Sequence, residues 1–176
     1  MPAATHDDAA LLRSVAAGSL EALGTLYARH ADAVYGVALR LTGSPAEAED
    51  VLQDMFVGLP RALGAYTERG RFEAWLKRVA VRVALMHLRT RRRWREVPLD
   101  ALPPRATAAG APHPADRIDL ERLVARLPDS LRTVFVLKEV EGYGHAEIGE
   151  LLGITPGNSA ARLSRAWAIL RKEAGR

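Results

Sequence analysis

Apolar residues recur at helical spacing over most of the chain. Leu11, Leu12, Val15, Leu20, Leu23, Leu26 and Tyr27 follow one another at steps of three to five, with a break at Gly18-Ser19. Val34, Val37, Ala38 and Leu41 keep the same period up to Thr42-Gly43. Ser44-Pro45 with Glu47 reads as a helix start: a hydroxyl cap, a proline in the first turn, and an acid three residues after the cap. The helix that follows turns Ala48, Val51, Leu52 and Met55 inward, and Gly58 and Pro60 are expected to end or kink it. A further helix is predicted from Phe72 to Trp94, with Trp75, Leu76, Val79, Val83, Met86 and Thr90 along one stripe. No stretch alternates with period two for long, and no Asn-Gly hairpin signal occurs.

Between Val97 and Asp116 stand Pro98, Pro103, Pro104, Pro112 and Pro114. Proline lacks the amide donor that a helix or a central strand needs, so this stretch is predicted to be a flexible Pro/Ala-rich linker. The fold class expected is all-α: two small helical domains, residues 7–95 and 117–174, joined by a linker over 96–116. In the second domain, Leu120, Leu123, Val124 and Leu127 form one helix, and Leu131, Val134, Phe135 and Leu137 a second. A short third helix (145–152), a turn at Gly153-Ile154 and a longer basic helix capped by Thr155-Pro156 make a helix-turn-helix pattern. The second helix of such a pair enters the major groove of DNA.

Charge sharpens this picture. Residues 1–68 carry 4 Lys/Arg against 9 Asp/Glu, residues 69–95 carry 10 against 1, residues 96–153 carry 6 against 10, and residues 154–176 carry 5 against 1. Two basic blocks thus alternate with two acidic ones, and a basic block on a helix attracts a polyanion by releasing its counterions. On the last helix Asn158, Arg162 and Arg165 share a face, opposite Leu163, Ala166 and Leu170. Asn suits adenine and Arg suits guanine at a base edge. The middle block interleaves its arginines with Tyr66, Phe72, Trp75 and Trp94, a mixture suited to unpaired strands. Trp75 is read as core, whereas Phe72 and Trp94 fit either core or stacking. Acidic groups beside DNA would cost affinity, so the face of Glu49, Asp50, Gln53 and Asp54 is expected to meet a protein, whereas charge alone favours an ordinary solvated helix.

Candidate chemistry is sparse. There is no cysteine, and the five histidines fall at no metal-ligand spacing, so neither a metal nor a cofactor is expected and no enzyme is predicted. Met1 to Asp8 lacks the basic and apolar stretches of a secretory signal, and no apolar run approaches the roughly 18 residues of a membrane span. A cytoplasmic protein without membrane contact is expected.

The segments RHADAVYGVALRLTGSPAEAEDVLQDMF (29–56) and GRFEAWLKRVAVRVALMHLRTRRRW (70–94) resemble the first conserved domain of extracytoplasmic-function (ECF) sigma factors of the sigma-70 family. LPDSLRTVFVLKEVEGYGHAEIGELLGITPGNSAARLSRAWAILR (127–171) resembles their last domain. The resemblance implies a dissociable subunit of bacterial RNA polymerase that directs promoter-specific initiation. It implies docking on a coiled coil of the largest polymerase subunit through Asp50, Gln53 and Asp54. It also implies melting and capture of the −10 element by Arg69, Arg71, Phe72, Lys77, Arg78, Arg82 and Arg89. Reading of the −35 element would fall to Asn158, Ser159, Arg162 and Arg165. An anti-sigma protein is a further partner of such factors. The chain departs from the family pattern at Arg82 and Met86, usually Asn and Asp, and at Pro60, usually aromatic and here expected to shorten the docking helix. It departs again at Gly144, usually a capping Ser or Thr, and at Ala160 and Ala161, usually polar. The competing reading is a stand-alone helix-turn-helix regulator, which would need neither the acidic face nor a second basic domain.

Overall fold

A computed structural model of the chain describes the backbone of residues 5–66, 72–95 and 120–174, and side chains over 8–66, 72–90 and 120–174. The expected linker (96–116), Arg69, Arg71 and the side chain of Trp94 lie outside these residues. The described residues are helical, with no strand among them, and they belong to two compact units, Met1–Thr90 and Arg91–Arg176.

The first unit holds α1 (Thr5–Ala16), α2 (Leu20–Thr42), α3 (Pro45–Ala62) and, as far as Thr90, α4 (Phe72–Arg95). Ser19 caps α2 by accepting from the Ala22 amide at 3.2 Å, and Gly43 ends it in the left-handed conformation at φ 67°. The next residue, Ser44, already caps α3, so the chain reverses within two residues and α2 and α3 pack antiparallel. Each cap stabilises its helix by about 1 kcal/mol. Burial contributes more: Leu26, Val34, Val37, Leu41, Val51, Met55, Leu59, Leu76 and Val81 are all enclosed, at roughly 1.5–3 kcal/mol apiece.

Two expectations are corrected here. Helix α3 runs through Gly58 and Pro60 to Ala62 before a 3-10 turn at Leu63–Ala65, so Pro60 neither ends nor shortens it at that position. A proline inside a helix costs about 3 kcal/mol, but Pro60 stands in the last turn, and burial of Phe56 and Leu59 in the turn before it offsets that cost. The inward stripe of α4 is also rotated from the one expected. Phe72, Leu76, Ala80, Val81, Ala84, Leu85 and Leu88 are buried, Trp75, Val79 and Val83 are half-buried, and Met86 and Thr90 are exposed. The buried stripe of α4 includes Ala80 and Ala84, which a ranking by hydrophobic bulk passes over.

The second unit holds α5 (Leu120–Arg126), α6 (Asp129–Phe135), α7 (His145–Leu152) and α8 (Pro156–Ala174). Helix α6 widens into one π turn at Val136–Val140, where the Glu141 amide donates to the Val136 carbonyl at 3.0 Å. Residues Arg132 to Leu137 are buried in succession, the mark of a helix enclosed on all sides. Arg132 closes the end of α5: it donates to the carbonyls of Ala125 (3.1 Å) and Leu127 (3.2 Å) and pairs with Asp129 at 2.9 Å. A cation placed on the last carbonyls of a helix also meets the negative end of its dipole.

Candidate nucleic-acid interface

The turn between α7 and α8 is built from two glycines with different duties. Gly153 takes the left-handed conformation (φ 67°) that ends α7, and the amides of Gly153 and Ile154 both return to the Gly149 carbonyl. Gly149 has ordinary backbone angles, but a Cβ there would lie 2.7 Å from the Ile154 carbonyl oxygen, so the tight corner excludes any side chain. Gly144 offers no cap to α7. The Glu147 carboxylate instead accepts from the Gly144 amide at 2.7 Å, supplying one half of a capping box. Thr155 caps α8 by accepting from the Asn158 amide at 3.1 Å, and Pro156 fills its first position.

Helix α8 then sorts its faces. Asn158 and Arg165 are exposed and Arg162 half-exposed, on one side. Ser159 departs from expectation. It is fully buried, and its hydroxyl lies 2.9 Å from Nδ1 of His145 on α7. Spacing explains this, since Ser159, Leu163, Ala166 and Leu170 stand at steps of four, three and four, which is the inward stripe of the helix. The Ser159 side chain is therefore a packing group between the two helices, not a base-reading one.

In the first unit, α4 exposes Arg78, Arg82 and Arg89 with Met86 on the same face. Lys77 is half-buried and pairs with Glu73 at 2.8 Å; this hydrogen bond, then the ammonium charge, holds the Glu73 carboxyl below its usual range. Phe72 is not available as a stacking platform, being 5% exposed within an aromatic cluster. Its ring meets Tyr66 (5.6 Å, 77°), Trp75 (5.8 Å, 28°) and His30 (5.3 Å, 78°), and Tyr66 also meets Trp75 at 5.0 Å. Tyr66 and Trp75 are the half-buried members of the cluster. The reading of Trp75 as pure core is corrected accordingly.

On α3, Glu49, Asp50, Gln53 and Asp54 all face outward, joined by Val57 at 73% exposure. Asp54 is held from α4, where Nε2 of His87 lies 2.7 Å from its carboxylate. The pairs Asp8–His30 and Asp54–His87 are not legible in the sequence, because each spans more than twenty residues and leaves no local periodic signal.

Both halves of the chain match known family profiles: residues 26–94 match sigma-70 region 2, and residues 117–170 match sigma-70 region 4. The RNA polymerase sigma factor CarQ of Myxococcus xanthus is 35% identical over 163 residues, spanning 90% of this chain and 92% of that protein. The chain belongs to the extracytoplasmic-function branch of the sigma-70 family. This sigma factor is also 34% identical to the ECF RNA polymerase sigma factor SigE of Mycolicibacterium smegmatis, over 83% of its own length and 59% of that relative's. Among solved structures it is similar to CnrH in complex with the cytosolic domain of CnrY, with a TM-score of 0.53, 26% identity and coverage of 96% and 97% of the two chains. It shares its fold with the sigma factor RpoE of Bartonella quintana, solved with the anti-sigma factor NepR, at a TM-score of 0.54 and 19% identity. The chain is a sigma factor of alternative type that directs transcription initiation, with RNA polymerase core and promoter DNA as its partners. Among the described residues of this sigma factor, no helix is long and apolar enough to cross a membrane, and no group of three or more acidic or histidine side chains could hold a metal ion.

Proposed function

We propose that this sigma factor divides promoter recognition among three helices. Helix α8 reads the −35 element through Asn158, Arg162 and Arg165, and Ser159 supports it from within. Helix α4 engages the −10 element and its separated strands through Arg78, Arg82 and Arg89, with Lys77 tempered by Glu73 and with Tyr66 and Trp75 as the rings open to a base. Arg69 and Arg71, which precede this helix in the sequence, share the −10 role. Helix α3 docks on the coiled coil of the largest polymerase subunit through Asp50, Gln53 and Asp54. The residue ranges follow the same division: 7–95 for docking and the −10 element, 96–116 as linker, 117–174 for the −35 element.

The observation that carries this reading is the separation of charge in one small unit. An acidic exposed face on α3 and a basic exposed face on α4 belong to the same core, so one face repels the phosphate backbone while the other attracts it. A protein that only bound duplex DNA would gain nothing from the acidic face. The protein acts by binding alone, catalyses no reaction, and works in the cytoplasm where polymerase and DNA meet. RpoE of Bartonella quintana, solved with the anti-sigma factor NepR, supports an anti-sigma factor as a further partner of this chain.

A gel-shift assay on promoter duplex at moderate salt, with and without core polymerase, tests the reading. Retention of the duplex is expected only when core enzyme is present. Tight, sequence-selective binding by the protein alone would overturn it.

A further inference from the structure

The region 2 match begins at Leu26, so α1 lies outside it, yet α1 places a buried carboxylate against the functional half of the unit. Asp8 is 6% exposed. Its two oxygens divide between two partners on α2: Oδ1 accepts from Arg29 at 3.2 Å, and Oδ2 lies 3.2 Å from Nε2 of His30. His30 is buried in turn, and its ring meets that of Phe72, the first residue of α4, in a T-shaped arrangement. Phe72 then contacts both Tyr66 and Trp75. A continuous path of contacts thus runs from α1 through His30 to the two half-exposed rings at the start of the basic helix.

A buried carboxylate is costly unless it is paired, and removal of one partner leaves the other desolvated and unsatisfied. Asp8 and His30 therefore hold each other in one geometry. Because His30 meets the Phe72 ring, that geometry sets where the Phe72 ring lies and, behind it, the Tyr66 and Trp75 rings. Core packing alone would be served as well by an apolar pair at these positions. A buried acid, a histidine and an arginine instead give one fixed orientation, which hydrogen-bond directionality imposes and apolar contact does not.

We propose that α1 is a positioning element for single-strand capture, acting through the Asp8–His30 pair on the Tyr66–Phe72–Trp75 cluster. The inference rests on the reading that the start of α4 handles separated strands, and it adds a role for a helix outside the matched segment. Asp8 and His30 are positioning residues: neither is exposed to DNA.

The test uses full-length protein assembled with core polymerase. Binding is measured by fluorescence anisotropy to a labelled single-stranded oligonucleotide carrying the nontemplate −10 sequence of a promoter recovered with this holoenzyme. Core affinity and affinity for a duplex bearing only the −35 element are measured in parallel. Asp8→Ala is expected to weaken single-strand binding about fivefold or more, the scale of one base–aromatic stack, while the other two affinities stay within about twofold. Asp8→Asn keeps the shape and an acceptor oxygen for His30, and is expected to recover most of the loss. Unchanged single-strand binding in Asp8→Ala would overturn the proposal. So would a matching fall in core affinity, or a loss in Asp8→Asn equal to that in Asp8→Ala, since either would make Asp8 a general stability group. Arg78→Ala with Arg82→Ala serves as the control for the underlying reading. If that double variant also binds the single strand normally, the assignment of α4 fails; if it binds weakly and Asp8→Ala does not, only the role of α1 fails.

Discussion

The hydroxyl of Ser159 on α8 lies 2.9 Å from Nδ1 of His145 on α7, and Ser159 is wholly buried between the two helices. Helix α8 is therefore fixed to α7 by a polar contact next to the residues proposed to face DNA. Ser159→Ala should remove the partner of a half-buried imidazole and lower the stability of the second unit by about 1 kcal/mol. Its ratio of affinities for matched and mismatched −35 elements should change little, in contrast to Asn158→Ala. Thermal melting and competition gel shifts with holoenzyme check both parts.

The exposed faces of α8 and α3 should separate genetically. Arg162→Ala and Arg165→Ala should each lower discrimination between promoter and mismatch by about 1–3 kcal/mol, the range for a bidentate arginine–guanine contact, with core binding unchanged. Asp50→Ala with Gln53→Ala should do the reverse. Titration of each variant against labelled core enzyme, then of each holoenzyme against promoter duplex, gives the two affinities. Equal loss of both activities in both variants would contradict the assignment of the faces.

Much of this was legible from the one-dimensional pattern. The caps at Ser44 and Thr155, the break at Gly18-Ser19, and the outward placement of Asn158, Arg165, Asp50 and Gln53 all follow from local spacing and local chemistry. Ser159 was legible too, since it stands four residues before Leu163 on the inward stripe, but its polarity drew it to the wrong face. The register of α4 was not, because Ala80 and Ala84 carry little apolar bulk and so give a weak periodic signal, although both are fully buried. The pairs Asp8–His30 and Asp54–His87 were invisible for another reason: they exist only after α1 and α4 have packed against α2 and α3.

The corner at Gly149 admits no side chain. Gly149→Ala would put a Cβ against the backbone oxygen of Ile154, at a distance real Cβ atoms essentially never show, so α7 and α8 must move apart. A fall in melting temperature of the second unit is expected, together with weaker promoter binding and an unaltered affinity for core polymerase. An unchanged melting temperature would show that the corner relaxes freely.

Arg132 gives a stability test away from both interfaces. Arg132→Ala leaves the Ala125 and Leu127 carbonyls and Asp129 without this partner, and should cost about 2 kcal/mol in chemical denaturation. Arg132→Lys should recover little, because one ammonium cannot reproduce the forked geometry that reaches two carbonyls and a carboxylate.

If one chain joins a polymerase-docking face to two promoter-reading helices, run-off transcription with core enzyme, from a promoter recovered with the polymerase complex, should depend on it. A defined transcript is expected only when the protein is present, lost on scrambling the −35 element and lost again with Asp50→Ala plus Gln53→Ala. A transcript independent of the protein, or one that survives both changes, would contradict this.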